Sequence, residues 1–467
     1  MKPWRLFGLV AGVVGLAFAV AAPRAEAKPR LLVMTDISNE PDDEESLVRL
    51  LVYSNEFEIE GLVATTSVWL REAVRPELIE RSVDAFGAVR GNLLRHAAGY
   101  PTAEDLRAKV KASCPAFGMA GVGDGKDTEG SRWIVQAVDR EDARPLWIAA
   151  WGGTNCLAQA LWDVRRTRTP EAVAAFVAKL RVYAISDQDD AGRWIRNTFP
   201  KLEYIVSPTT IDADEYHTAT WGGISGDRFL RNGPFEHFEL VDAPWLSAHI
   251  RENHGPLGAL YPVPVYLMEG DTPSFLNLIA NGLAADESPA WGGWGGRYGL
   301  RQATGEARAI WTNSRDTVST RDGRVHTSNQ ATVWRWREAF QHDFAARMDW
   351  CVKPWAEANH NPTAVVNGVA GKEALRLVAA PGETVALSAA GSGDPDGDGL
   401  AYRWFYYPEA GEPGARPERL AIAGEKMEAA QVTIPGGEWP ELHVILEVRD
   451  DGAPALFAYR RVIVTRR

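Results

Sequence analysis

The sequence predicts an α/β protein with an open, mostly parallel sheet, followed by a smaller β-sandwich. Three observations carry this. Short apolar runs alternate with helical patterns over residues 28–361. Polar clusters fall directly after those apolar runs. From residue 362 the helical spacing stops, and short alternating strands follow between Gly, Pro and Asp turns. Strand–helix alternation implies βαβ units and a parallel sheet, whereas strands without helices imply a sandwich. The 467 residues exceed what one ordinary core organises.

Residues 1–27 read as a secretory leader. Lys2 and Arg5 precede an apolar run over 6–22, and Ala25-Glu26-Ala27 forms a small-residue cleavage site. The alternative is a membrane anchor, but Pro23 and the cleavage pattern favour removal. The expected location is therefore secreted or periplasmic, with no membrane association after cleavage. Lys+Arg 50 against Asp+Glu 62 gives a net charge of -12, which argues against nucleic acid as a partner. Three cysteines cannot staple a scaffold; Cys114, Cys156 and Cys351 allow one disulfide and one free thiol, with the pair left open.

In the α/β domain, 28–361, strands are expected at 30–34, 59–66, 146–150, 179–185 and 203–206. Helices are expected at 45–53, 76–89 and from 155 to 162. A further apolar run covers 263–268. In the second domain, 362–467, strands are expected at 384–388, 400–405, 442–448 and 459–464, with Asn361-Pro362 as the linker. Ligands of open α/β sheets bind outside the carboxyl ends of the strands. The residues after Met34, Ala64, Ala150 and Ile185 are thus the place to look for chemistry.

The sharpest signal is Thr35-Asp36-Ile37-Ser38-Asn39-Glu40-Pro41-Asp42-Asp43. Carboxylates this close repel unless protons or a cation compensate. A hard divalent ion with oxygen ligands is the natural compensator, and a multi-carboxylate set suits Ca²⁺. Such an ion binds a water and sugar hydroxyls together. The plainer alternative is a solvated acidic loop whose Asp42 and Asp43 favour a helix N-terminus. The cluster has company: Trp151-Gly152-Gly153-Thr154-Asn155, Ser186-Asp187-Gln188-Asp189-Asp190 and Glu269-Gly270-Asp271-Thr272 each follow an apolar run. Four polar clusters at four expected strand ends favour the metal site.

These motifs resemble the nucleoside hydrolases. Thr35-Asp36 followed by Asp42-Asp43, the Gly152-Gly153-Thr154-Asn155 block and a late Asp271 match that superfamily's pattern. The nine residues from Thr35 and the stretch Glu269-Gly270-Asp271-Thr272-Pro273-Ser274-Phe275-Leu276 are more closely similar to a bacterial family labelled cellulose-binding, with a nucleoside-hydrolase-like domain. The resemblance covers roughly 28–360. It implies a sheet of nucleoside-hydrolase type, bound Ca²⁺ and hydrolysis of N-glycosidic bonds. It implies Asp36, Asp43, the Thr154 carbonyl and Asp271 as calcium ligands. Asp36 would also be the base that activates water, and Asp42 would hold ribose hydroxyls. Departures are equally specific. Met34 stands where the superfamily has an Asp, Glu40 lies in a longer gap, and Ser67-Val68-Trp69 lacks an expected Asn. Gly270 occupies the place of a proton-donating His.

Other substrate contacts are expected from Asn155 and Asp187, from the aromatic walls Trp194, Trp291 and Trp294, and from His217 at the leaving group. Trp291-Gly292-Gly293-Trp294 reads as an aromatic platform for sugar faces, against the plainer alternative of core filling. Gly391-Ser392-Gly393-Asp394-Pro395-Asp396-Gly397-Asp398 looks like the turn of PKD-like modules, since Phe405 stands where an EF-hand needs Glu. The function expected is an exported calcium-dependent glycosidic hydrolase acting on a small glycoside or oligosaccharide. The alternatives are a non-catalytic polysaccharide-binding protein, and a retaining O-glycosidase that needs no ion. A homo-oligomer is compatible with the sequence.

Overall fold

The computed structural model describes residues 27–38, 40–208, 214–226, 236–411 and 413–467. Residues 1–26, within the stretch read from sequence as a leader, and Asn39 lie outside them. The first unit is built on an eight-stranded sheet: β1 (Arg30–Thr35), β2 (Glu58–Ala64), β3 (Val110–Ala112), β4 (Leu146–Ala150), β5 (Leu180–Ser186), β6 (Glu203–Ser207), β7 (Tyr298–Gln302) and β8 (Ala309–Asn313). The order is β3-β2-β1-β4-β5-β6-β8-β7. All neighbouring pairs are parallel except β7 with β8.

β1 shows why the central strands are apolar throughout. Leu31 and Val33 enter one core, with Leu47, Leu51 and Phe86; Leu32 and Met34 enter the other, with Ile148, Leu157 and Val182. Alternate side chains thus feed two helical layers. The chain runs outward from β1 to β3 and then returns to place β4 against β1. That reversal is the topological switch point, where a crevice opens at the strand ends. Met34 pairs with Ala150, and the Trp151 N–H donates to the Met34 carbonyl at 2.8 Å. The helices Pro41–Val52 and Asn155–Thr167 leave β1 and β4 from this crevice.

The expected strands of this unit match β1, β2, β4, β5 and β6. The run at 263–268 is not a strand. Pro262 and Pro264 withhold ladder donors, and Val263, Val265 and Tyr266 are exposed. The edge strands β3 and β7, and β8 beside β7, carry no strong periodic signal.

The second unit is a sandwich of a four-stranded sheet (Leu375–Ala379, Phe457–Arg466, Leu442–Asp450, Leu400–Tyr406) and a three-stranded one (Thr384–Ser388, Ala429–Thr433, Ala421–Ala423). Leu387, Trp404, Val432, Leu446 and Val462 pack between them. The sandwich shares a core with the first unit: Tyr407, Ile445, Phe457 and Tyr459 cluster with Phe340 and Trp336. Gly282 is required at this seam, because a Cβ there, at φ +93°, would lie 2.5 Å from the Tyr459 carbonyl carbon. Buried Asp316 binds Arg297 at 2.7 Å, Arg335 at 2.9 Å and the Tyr407 hydroxyl at 2.5 Å.

This seam corrects the reading of Trp291 and Trp294 as cleft walls. Both are buried in the joint. Trp291 packs edge-on to His443 at 5.4 Å, and the Arg461 guanidinium lies over its ring and donates to the Gly292 carbonyl at 2.7 Å. The glycines serve close packing: a Cβ on Gly295 would lie 3.0 Å from Asn277. The three cysteines are all free thiols. Cys156 and Cys351 belong to the two different cores, which keeps them apart.

Candidate active site

Three loops meet at the crevice: the one after β1, the one after β4 that carries Gly152, and a third far along the chain. β1 delivers Asp36. The following turn is tight, with Ser38 at φ 117°, and returns the chain into a helix opened by Pro41, a favoured first helical residue. Asp42 and Asp43 then sit in its first turn. The third loop brings Asp271 from more than 200 residues further along the chain. Carboxylate oxygens of Asp42, Asp43 and Asp271 lie within 4.8 Å of one another, a grouping able to hold a metal ion.

The Asp271 loop is pinned by buried charge. Glu269, at φ 53°, pairs with Arg49 of the helix Pro41–Val52 and accepts from the Tyr261 and Thr272 hydroxyls, each at 2.8 Å. The Glu269 N–H donates to Glu45 at 2.8 Å. The same helix therefore carries Asp42 and Asp43 and holds the loop that presents Asp271.

Electrostatics make the well expensive without a counter-charge. Asp36, Asp43 and Asp271 are buried, and among the described residues no Lys or Arg forms an ion pair with them or with Asp42. Burial raises the Asp42 pKa to about 7, with the charge of Asp36 adding to it and backbone amides including that of Gly270 opposing it. Asp43 and Asp271 are pushed well above the carboxylate range, first by burial and then by their acidic neighbours. Burial also raises Asp36, which a hydrogen bond from Ser67 opposes. Asp36 Oδ1 and Asp271 Oδ2 have no hydrogen-bond partner among the described residues. Buried carboxylate oxygens left unpaired among acidic neighbours fit a bound cation. The all-oxygen donor set fits calcium chemistry.

Of the expected ligands, Asp43 and Asp271 fall in this trio and Asp36 stands beside it. The trio contains Asp42, read from sequence as a sugar contact, and not Asp36. The reason is local: Asp42 and Asp43 are consecutive in one helical turn, whereas Asp36 leaves the strand and lies against Gly152. A Cβ on Gly152 would come 2.8 Å from the Asp36 carboxyl carbon, so glycine there admits the carboxylate. The Thr154 carbonyl accepts from the Ala158 N–H at 2.9 Å as the helix begins. Its hydroxyl donates to Asp189 at 3.2 Å.

Beside the well, at the ends of β2, β5 and β6, lies a cavity of about 520 Å³ lined by Trp69, Phe117, Asp187, Gln188, Arg193 and Tyr216 among others. Tyr216 packs edge-on to Trp221 at 5.2 Å. Trp221 in turn lies 3.5 Å from where a Gly270 Cβ would stand, and Asp42 would be at 2.7 Å. No side chain fits at position 270 without displacing Asp42.

Several expected substrate contacts are structural. Asn155 is buried, accepts from the Thr65 hydroxyl at 2.9 Å, and donates to the Thr66 hydroxyl at 3.1 Å and the Ala116 carbonyl at 2.8 Å. It ties the loop after β2 to the helix after β4 and keeps no free donor. Trp194 packs into a helical-layer core against Phe199 at 5.9 Å and is not a wall of the cavity. Asp187 does line the cavity, but Arg196 holds both its oxygens, at 2.8 and 2.7 Å. His217 lies beside Tyr216, at 5.7 Å between rings, and its Nδ1 is buried without a partner among the described residues. Sequence reasoning does not reach the roles of Ser67, Trp221 and Glu269. Of these, Ser67 carries a usable signal, since it lies three residues after β2, in the segment where the superfamily places an Asn.

An open α/β sheet with an acidic well at its switch point, joined to a docked sandwich, defines a nucleoside-hydrolase-like protein with a C-terminal β module. Residues 30–298 match the family described as cellulose-binding Sde182, nucleoside hydrolase-like domain. The chain belongs to that family. Residues 384–466 match the cellulose-binding protein Sde0182 C-terminal domain. The chain is also similar to a solved nucleoside hydrolase-related hypothetical protein from Saccharophagus degradans, described as associated with carbohydrate metabolism. Identity is 36%, coverage is 94% of this chain and 100% of that one, and the TM-score is 0.79. The effector protein XOO4466 aligns over 71% of this chain and 95% of its own at 10% identity; its TM-score of 0.37 carries no argument. A comparison with curated proteins returned no match. Among the described residues no helix is long and apolar enough to cross a membrane.

Proposed function

We propose that the protein is an exported, calcium-dependent hydrolase of a glycosidic bond, ancestrally N-ribosidic, in a sugar-containing substrate. The carrying observation is the trio of Asp42, Asp43 and Asp271, the last two buried, beside Asp36, with two carboxylate oxygens unpaired among the described residues. A well that repels itself this strongly costs stability unless it is used. Asp42, Asp43 and Asp271 would hold the ion, with Asp36 alongside. When bound, calcium supplies the charge that keeps these groups ionised and polarises a water.

The chain's own groups then have separable roles. Asp36, oriented by the Ser67 hydroxyl, takes the proton of the attacking water as general base. Asp42, held by the Gly270 amide, accepts from the sugar hydroxyls. Trp69, Phe117 and Tyr216 line the space for the leaving group. Release of reducing sugar from nucleosides and cell-wall oligosaccharides, assayed with and without chelator, tests this. Chelator-sensitive release supports it; release that ignores chelator contradicts it.

A second reading is carbohydrate binding without turnover. It is favoured by Gly270, where no proton-donating side chain fits, and by the family's cellulose-binding description. It expects polysaccharide retention with no release from any glycoside. The amino-terminal leader sequence supports export in either case.

A further inference from the structure

A second cavity, of about 340 Å³, opens where the two units meet, and its lining includes none of the four acidic-well residues. The first unit contributes Glu56, His96, Arg347, Trp350 and Trp355. The sandwich side contributes Lys372 and the first residues of the strand Phe457–Arg466. One wall is a ladder of flat rings. Trp355 stacks on His360 with centroids 3.5 Å apart and planes 13° from parallel. His360 stacks against His96 at 5.2 Å and Trp350 at 5.2 Å.

The ladder is fixed from both units. His96 Nδ1 and His360 Nε2 are 2.9 Å apart, and the other His96 nitrogen faces the Lys353 carbonyl at 2.9 Å. His360 Nδ1 faces the Asp396 carboxylate of the sandwich at 3.0 Å. Asn361 donates to Asp343 at 2.7 Å, and Arg347 bridges Asp343 and Glu56 at 3.1 and 2.9 Å. Trp355 at the end of the ladder is 42% exposed, whereas Trp291, Trp294, Trp334, Trp336, Trp350, Trp404 and Trp439 are buried.

An immobilised, solvent-facing indole beside a groove lined by carboxylate, amide and guanidinium groups has the chemistry of sugar recognition. The apolar face of a pyranose stacks on the ring, and the equatorial hydroxyls meet planar donors and acceptors. Holding the ring in place beforehand removes the ordering cost of binding. We infer that this interdomain groove is a second carbohydrate site, taking a β-linked glucan chain, with Trp355 as its stacking platform and the sandwich completing its wall. The inference rests on the carbohydrate chemistry proposed above and not on turnover. It also gives the C-terminal unit a function, because that unit closes the groove.

Cellohexaose titrated into the full chain, followed by intrinsic tryptophan fluorescence and calorimetry, tests it. Trp355→Ala should weaken binding about tenfold, the scale of one stacking contact, and Trp355→Phe should restore most of it. Because Trp355→Ala also loses the stacking on His360, binding is compared at a temperature where melting curves show both proteins folded, which separates lost sugar stacking from lost folding. Asp43→Ala, at the other site, should leave this binding intact. Equal cellohexaose affinity in wild type and Trp355→Ala would overturn the inference. So would no cellohexaose binding by the wild type, even if chelator-sensitive release from another glycoside persists and the acidic-well reading stands.

Discussion

Asp36 and Asp271 each keep a carboxylate oxygen that is buried and has no partner among the described residues, in a well where Asp42 and Asp43 already repel them. The residue that makes room for this is Gly270. Gly270→Ala should push Asp42 aside, because the added Cβ would lie 2.7 Å from its Oδ2. The expected result is Ca²⁺ binding weakened about tenfold, on the scale of a displaced ligand, with little change in thermal unfolding; calorimetry and a melting curve check both. Sequence alone locates the four carboxylates, because acidic residues after apolar runs are chemically conspicuous. It does not divide their roles. Which of Asp36 and Asp42 joins the trio depends on a helical turn and on Gly152, and neither is visible as a pattern. Asn155 misleads for a related reason: a buried amide that ties two loops looks, in sequence, like one that meets a ligand.

At the scale of elements, the site depends on one helix and one loop. The helix Pro41–Val52 buries Glu45 and Arg49 as well as Asp43, an unusual inner face that the Glu269 loop explains. Glu269→Gln leaves the Arg49 charge buried with a weaker partner. Breaking a buried pair typically costs about 3–5 kcal/mol. Denaturant unfolding should therefore show a loss of that order at the upper limit, with calcium affinity falling too because Asp271 is no longer held. An unchanged midpoint would refute this pinning. The central strands are legible because a strand feeding two helical layers is apolar throughout. The run at 263–268 has the same composition, yet its prolines turn it into an exposed connection. The edge strands β3 and β7, and β8 beside β7, are short or partly exposed, and so lack the apolar run that marks the centre.

At the scale of the whole molecule, the two units form one body through a joint of buried aromatics and arginines. The abundance of Trp finds part of its explanation there, in Trp291, Trp294 and Trp336, which no local pattern could reveal because their partners lie far along the chain. His443 makes the joint sensitive to acid. Burial, with the nearby Arg461 adding to it and Glu441 opposing it, lowers its pKa to about 4. Above pH 6.5 it is neutral in folded and unfolded chains alike, and it imposes no penalty. As pH falls from 6.5 towards 4, the unfolded chain takes up the proton first, so stability falls, on the order of 3 kcal/mol across that window. Melting temperatures of wild type and His443→Gln should converge in slope above pH 6.5 and diverge below it. The central claim concerns the acidic well, and it is tested most directly by calorimetric titration of Ca²⁺ into the full chain and into Asp43→Ala. The account predicts a saturable site in the wild type that Asp43→Ala abolishes; equal affinities in the two proteins would contradict it.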